Sequence, residues 1–81
     1  MYIIDKTLNL LERKNNKVLI NSKKSSKSLW LSYDLWKYLY TNLGMKVKGE
    51  NFNEFKTEEL KKLISFNFVF NENLLQLKKI N

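Results

Sequence analysis

The sequence of 81 residues contains no cysteine and no histidine, and only two glycines. Without cysteine and histidine, the chain lacks the usual ligands of a zinc site and the groups of Cys–His and Ser–His catalysis. Gly44 and Gly49 fit neither of the glycine-rich patterns that cradle phosphates. These absences lead us to expect a protein that is not an enzyme and that uses no metal and no cofactor.

Long hydrophobic runs are also missing. No stretch reaches the roughly 20 apolar residues that a membrane span requires. The N-terminus meets Asp5 directly after Ile3 and Ile4, whereas a secretory signal peptide has a basic start and a longer apolar run. With no cysteine, nothing points to an oxidising compartment. We therefore expect a soluble, cytoplasmic protein.

Basic residues are in excess, since 15 lysines and arginines against 8 acidic residues give a net charge of +7. Such a surface attracts nucleic acid, acidic peptides or anionic lipid. Asparagine is abundant beside lysine, so a compositional bias towards these two residues explains the charge equally well. The charge alone therefore does not identify a partner.

Three short strands are predicted in the first part of the chain, at residues 7–14, 17–22 and 28–31. Asn15-Asn16 separates the first two strands and tolerates the left-handed conformation of a tight hairpin turn. A two-residue turn places Leu11 opposite Ile20, with Val18 on the same face. After a basic loop at 23–27, Leu29 and Leu31 share one face of the third strand and Trp30 takes the other.

Three helices are predicted after the strands. Ser32 caps a helix at about 33–43, whose apolar residues recur on one face, and Gly44 follows as its C-terminal glycine. Residues 51–54 resemble a capping box that begins a short helix with Phe52 and Phe55. Thr57 caps the third helix, at 58–66, and Asn67 is suited to the left-handed position that ends it.

The order of these elements predicts an α+β fold, in which a three-stranded antiparallel sheet is followed by three helices in a winged-helix-like arrangement. No linker divides the chain, so we expect a single domain over 1–81. Its core would span about 7–70. Residues 71–81 would form a C-terminal tail or short helix through Leu74, Leu77 and Ile80.

In this order the sequence resembles the PqqD-like family, the recognition elements that bind precursor peptides in ribosomal peptide biosynthesis. The opening hairpin carries part of the resemblance. The rest comes from the strand-to-helix junction at 29–36 and from residues 60–69, where apolar residues lead to Asn67 and the apolar pair Phe68-Val69. The resemblance covers most of residues 7–70.

The resemblance implies a binding module that recognises a leader peptide and presents it to a modifying enzyme. The peptide would add as a strand to the edge of the third strand, beside the third helix. Carried over by position, the peptide-binding residues are Ser28, Leu29, Trp30, Leu31, Glu58, Lys61, Lys62 and Ser65. Lys61 and Lys62 would favour an acidic peptide.

Two other functions remain open at this point. A winged-helix nucleic-acid-binding protein would use the basic loop at 23–27 on phosphates and a helix in the major groove. Arg13 is the one arginine available for reading guanine, and Glu58 and Glu59 begin the best recognition helix. The third possibility is a small phage or mobile-element module that binds or inhibits another protein.

Overall fold

The computed structural model describes residues 1–72, which form six strands, two α-helices and one 3₁₀ helix. The strands are β1 Tyr2–Ile4, β2 Asn9–Lys14, β3 Lys17–Ser22, β4 Ser25–Ser32, β5 Lys46–Val47 and β6 Val69–Asn71. The helices are α1 Tyr33–Thr41, the 3₁₀ helix Gly49–Phe52 and α2 Thr57–Ser65. The predicted tail residues Leu74, Leu77 and Ile80 lie outside the described residues.

The strands form two antiparallel three-stranded sheets. The first has the order β5-β1-β6, in which Tyr2 pairs with Val47 on one side and with Asn71 on the other. The second is the meander β2-β3-β4. The first sheet therefore ties the N-terminal strand to segments that follow it by more than forty residues in the sequence.

The prediction of a single sheet followed by three helices is therefore wrong. The missed strand β1 is a short aromatic and β-branched run whose partners lie far away in the sequence, so no local pattern indicates its pairing. The second helix expected after a capping box at 51–54 does not form, because Asn51 lies inside a 3₁₀ helix, Gly49–Phe52, that ends where the predicted helix would begin. The Phe52 ring is buried between Tyr2 and Tyr38, at centroid distances of 5.7 and 5.4 Å, which fixes this segment as one tight turn.

The predicted hairpin is confirmed, with one change of register. Asn15 has a φ of 57°, in the left-handed region that the turn requires. A β-bulge between Leu10 and Glu12 makes Leu10, and not Leu11, the partner of Ile20. The bulge inserts one residue, Leu11, that has no partner on β3. Its side chain therefore leaves the regular alternation between the two faces of the sheet. Leu11 is consequently 49% exposed, so its predicted place beside Val18 in the core is wrong.

The third predicted strand is confirmed as β4, which is longer than expected and begins directly after a turn at Lys23-Lys24. The expected polar loop at 23–27 is thus partly strand. Leu29 and Leu31 are buried and Trp30 is 41% exposed, as the alternation predicts. One face of β4 therefore belongs to the core and the other presents Trp30.

Helix α1 begins as predicted, because the Leu35 N–H donates to the Ser32 hydroxyl at 3.4 Å. The helix ends at Thr41, two residues earlier than expected. Gly44, with a φ of +74°, turns the chain back, and its N–H donates to the carbonyl oxygen of Ile4 at 2.8 Å. The glycine thus connects α1 to the first sheet and does not itself end the helix.

Helix α2 begins one residue earlier than predicted, since Lys56 and not Thr57 occupies the capping position. It ends at Ser65, one residue earlier than predicted, but the left-handed turn predicted at Asn67 is confirmed. Asn67 has a φ of 62°, the Phe68 N–H donates to the Leu63 carbonyl oxygen at 2.9 Å, and the Asn67 N–H donates to Ile64 at 3.1 Å. This pair of bonds is a Schellman motif. It returns the chain so that Phe68 is fully buried just before β6.

A continuous cluster of buried side chains joins both sheets and both helices. Its fully buried members with the largest side chains are Ile4, Val18, Ile20, Leu31, Leu35, Leu39, Leu63, Phe68 and Val69. Within residues 1–72, neither helix has the length and apolarity that crossing a bilayer requires.

Candidate functional site

The second sheet has two outer strands, β2 and β4, and they differ in regularity. The bulge between Leu10 and Glu12 interrupts β2 near its middle. By contrast, β4 pairs with β3 without interruption from Ser28 to Ser32. Because bulges blunt an edge against further pairing, the 28–32 edge of β4 is the better template for an additional strand.

Two hydrogen bonds donated by backbone N–H groups establish which amides of β4 point away from β3. The Tyr33 N–H donates inward to the Asn16 carbonyl oxygen at 2.8 Å, whereas the Ser32 N–H donates outward to Glu59 Oε2 at 3.0 Å. Direction alternates along an antiparallel strand. The N–H groups of Ser28 and Trp30 therefore also point outward, while those of Leu29 and Leu31 point to β3.

Helix α2 lies along this outward edge and encloses a groove of about 240 Å³ with it. On the β4 side the groove is lined by Trp30, Leu31 and Ser32. A second hollow of about 300 Å³ continues at the other end of the edge, between Ser25 and the end of α2 at Ser65. Helix α2 thus runs antiparallel to β4, with its N-terminus beside Ser32.

Trp30 projects from the solvent face of the sheet, where it is the cross-strand partner of Leu19. Its side chain lines the groove beside α2 and also a hollow of about 520 Å³ at the tip of the β2–β3 hairpin, together with Lys14 and Lys17. An exposed tryptophan between two hollows combines apolar area with a polar N–H group, which suits it to an interface.

Charged side chains surround the β4 edge unequally. In the groove beside α2, Lys17, Lys56 and Lys62 face Glu58 and Glu59. Glu59 already accepts the hydrogen bond from the Ser32 N–H, which partly compensates the charge of its carboxylate. The groove therefore offers an excess of positive charge to a ligand.

The far end of the edge is also basic. Lys24 and Lys27 line the second hollow, and Lys27 Nζ lies 5.2 Å from the centroid of the Phe66 ring. This distance is within the range of a cation–π contact. Among residues 1–72 no group of acidic side chains is placed to hold a metal ion.

The predicted binding residues are largely brought together. Trp30, Leu31, Glu58 and Lys62 line the same groove, and Ser65 lines the hollow that follows it. Ser28 lies on the same edge. The side chains of Leu29 and Leu31 face the core, so β4 offers its backbone at the edge and, of its large apolar side chains, only Trp30.

Lys61 was also predicted here, but it does not line the groove. Successive residues of an α-helix are about 100° apart, so Lys61 points well away from its neighbour Lys62. The same spacing places Glu59 and Phe66 on the groove side, and sequence reasoning missed both. Helical periodicity counted from Lys62 would have identified them.

No protein-family model matches this chain, and neither a curated protein nor a solved structure matches it.

Proposed function

We propose that the protein is a binding module that takes up an extended peptide as an added strand on the β4 edge, facing α2. The observation that carries the proposal is the uninterrupted edge at 28–32, whose outward amides face a groove formed with a helix. In its finer form, the peptide is the leader of a ribosomally made precursor, and the module presents it to a modifying enzyme, as the resemblance implies.

Backbone hydrogen bonds would supply the affinity. The N–H and C=O groups of Trp30 both point outward, so Trp30 and the peptide residue opposite it would form a hydrogen-bonded pair. An added strand would lie about 4.8 Å from β4. Its side chains would alternate between the solvent face, beside Trp30, and the face towards α2. Selectivity would come from these two environments.

The charges around the edge favour an acidic peptide. Lysines flank both ends, with Lys17, Lys56 and Lys62 at one end and Lys24 and Lys27 at the other. Positive flanks attract acidic segments and orient them before docking. The surface lysines would therefore act mainly on the association rate, and that rate would fall with added salt.

A proline at an outward position tests the proposal. Ser28→Pro removes the outward N–H and leaves the bonds to β3 in place, since proline is tolerated where the N–H of an edge strand faces solvent. Ser28→Ala is the matched control because it keeps the N–H. A random dodecapeptide library is selected against the wild-type protein, and the dissociation constants of the enriched peptides are then measured by intrinsic fluorescence, which reports on the exposed Trp30 and the buried Trp36 together.

We expect enriched peptides to bind the Ser28→Ala variant as they bind the wild type, and to bind Ser28→Pro about tenfold more weakly, roughly the loss of one hydrogen bond. Far-ultraviolet circular dichroism verifies that each variant is folded. Equal binding by a folded Ser28→Pro variant contradicts strand addition, as does a library that yields no enriched sequence.

A second measurement uses the unmodified protein, in case the proline variant does not fold. Methylating the peptide backbone one amide at a time should weaken binding at every other position, because an added strand turns alternate amides towards β4. If methylation weakens binding equally at every position, or at none, the peptide does not bind as a strand on this edge.

The same fluorescence titration separates peptide binding from the nucleic-acid alternative. Duplex and single-stranded oligonucleotides are titrated at two salt concentrations, since binding through phosphate contacts falls steeply as salt rises. Salt-sensitive oligonucleotide binding without peptide enrichment would overturn the proposal in favour of nucleic acid. Peptide binding that persists at the higher salt concentration supports it.

A further inference from the structure

Ser32 has two roles, as the last outward amide of β4 and as the cap of α1. Its hydroxyl accepts from the Leu35 N–H at 3.4 Å, and its own N–H donates to Glu59 Oε2 at 3.0 Å. This is the reciprocal pattern of a capping box, in which the acidic residue normally comes three positions after the cap. Here that position is Leu35, and α2 supplies the carboxylate from 27 residues along the chain.

The same carboxylate stands between two hollows. Glu59 lines the groove of about 240 Å³ along β4. It also lines a hollow of about 670 Å³ between α1 and the segment leading into α2. There Tyr38 and Phe55 present rings, and charges of both signs surround them: Lys37, Lys56, Asp34 and Glu54. The Ser32–Glu59 bond therefore spans the passage from one hollow to the other.

We propose that Glu59 is a latch on the peptide-binding edge, which deepens the function proposed above and rests on it. The Glu59 carboxylate occupies the position that a peptide carbonyl takes when an added strand extends past Trp30 to Ser32. A peptide of that length displaces the carboxylate, takes over the hydrogen bond from Ser32, and continues into the hollow between α1 and α2.

The latch also defines the class of peptide. Beyond the residue that pairs with Ser32, the peptide meets Tyr38 and Phe55, which suit an apolar side chain. Asp34 and Glu54 offset the charges of Lys37 and Lys56 around these rings, so charge selects neither sign there. Tyr38 and Phe55 already lie 5.9 Å apart between ring centroids, so their rings form one apolar wall. We therefore assign to this site a peptide whose strand-forming part is followed by an apolar residue.

The test compares Glu59→Ala with Glu58→Ala. Both substitutions remove one negative charge from the same groove, and both place alanine in the first turn of α2. Glu58 makes no hydrogen bond to Ser32, so the difference between the variants isolates the latch from the change in charge. The probes are the peptides selected against the wild type, each at full length and truncated so that it ends opposite Trp30.

For the full-length peptides we expect Glu59→Ala to lower the dissociation constant roughly threefold to tenfold, the range for removing one competing hydrogen bond. Glu58→Ala reports the effect of removing a charge from the groove without removing a hydrogen bond to Ser32, so Glu59→Ala should bind the full-length peptides at least about threefold more tightly than Glu58→Ala does. The truncated peptides should not distinguish the two variants. Glu59→Gln, which keeps an oxygen acceptor, should fall between wild type and Glu59→Ala.

The proposal that Glu59 is a latch is wrong if the two alanine variants bind the full-length peptides equally, or if Glu59→Ala weakens their binding. In either case the Ser28→Pro comparison still reports on strand addition, so the two proposals fail separately. A readout independent of affinity is the ¹³C shift of the Glu59 carboxyl carbon. It should change on binding of full-length peptide and remain constant with the truncated one.

Discussion

The guanidinium carbon of Arg13 lies 4.0 Å from the centroid of the Tyr33 ring. Arg13 is near the end of β2 and Tyr33 is the first residue of α1, so this contact fastens the hairpin tip over the start of the helix. Lys37 Nζ approaches the same ring at 5.5 Å. Two cationic side chains thus contact the Tyr33 ring at the junction between β4 and α1.

Arg13→Ala should lower the free energy of unfolding by about 1 kcal/mol, through the lost cation–π contact and the lost packing of the side-chain stem. The neighbouring Lys14→Ala is the control and should stay within about 0.5 kcal/mol of wild type, as exposed sites usually do. Urea unfolding monitored by fluorescence measures both variants. Equal losses would mean that the contact with Tyr33 contributes nothing measurable.

Asn67 should be sensitive to substitutions that alter its backbone preference. With a φ of 62° it adopts a conformation that glycine reaches without strain and alanine does not. Asn67→Ala should destabilise the protein by about 1 kcal/mol, and Asn67→Gly should be neutral or stabilising by a few tenths. Thermal unfolding of the two variants gives the comparison. An alanine variant as stable as wild type would contradict the left-handed end of α2.

The bulge in β2 predicts opposite outcomes for two neighbouring aliphatic residues. Ile20 is fully buried, so Ile20→Ala should cost about 2–5 kcal/mol. Leu11 is 49% exposed, so Leu11→Ala should cost less than about 0.5 kcal/mol. Urea unfolding distinguishes this arrangement from the unbulged register. A large loss on truncating Leu11 would show that it faces the core after all.

The ion pair between Lys46 and Glu72, at 2.7 Å, predicts a pH dependence of stability. The hydrogen bond from Lys46 lowers the pKa of Glu72, partial desolvation opposes this shift, and the charges of Lys46 and of the N-terminus add to it. Glu72 therefore stays ionised at a lower pH in the folded state than in the unfolded chain. Its contribution is complete above the unfolded pKa and is lost as pH falls through the folded value.

Glu72→Gln should accordingly be slightly less stable than wild type at neutral pH, where the ion pair contributes fully, and this difference should disappear as pH falls through the folded pKa of Glu72. Added salt should reduce the difference from wild type, because Lys46 is largely exposed. If the urea midpoints of wild type and Glu72→Gln change with pH in the same way, this ion pair has no role in the acid sensitivity of the protein.

The features that the sequence predicted correctly are local. The Ser32 cap, the left-handed Asn67 and the alternation of Trp30 with its leucine neighbours each depend on a few consecutive residues. Backbone sterics and short-range hydrogen bonds determine such features, so the residue types suffice to predict them. The candidate edge on β4 was found for this reason.

The sequence by itself determined two hairpin-linked strands, a third strand with one apolar face, the Ser32 cap that begins α1, and the left-handed Asn67 after α2. Only the tertiary structure decided that β1 pairs with β5 and β6, that β2 carries a bulge, and that Glu59 reaches Ser32 across 27 positions. The β1 pairings and the Ser32–Glu59 bond join segments far apart in the chain, and each forms only when the packing of the whole core outweighs the entropy of closing the intervening loop. The bulge lies within a hairpin, but it is set by which leucine side chain the core accepts. The balance between core packing and loop entropy cannot be predicted from any short stretch of sequence.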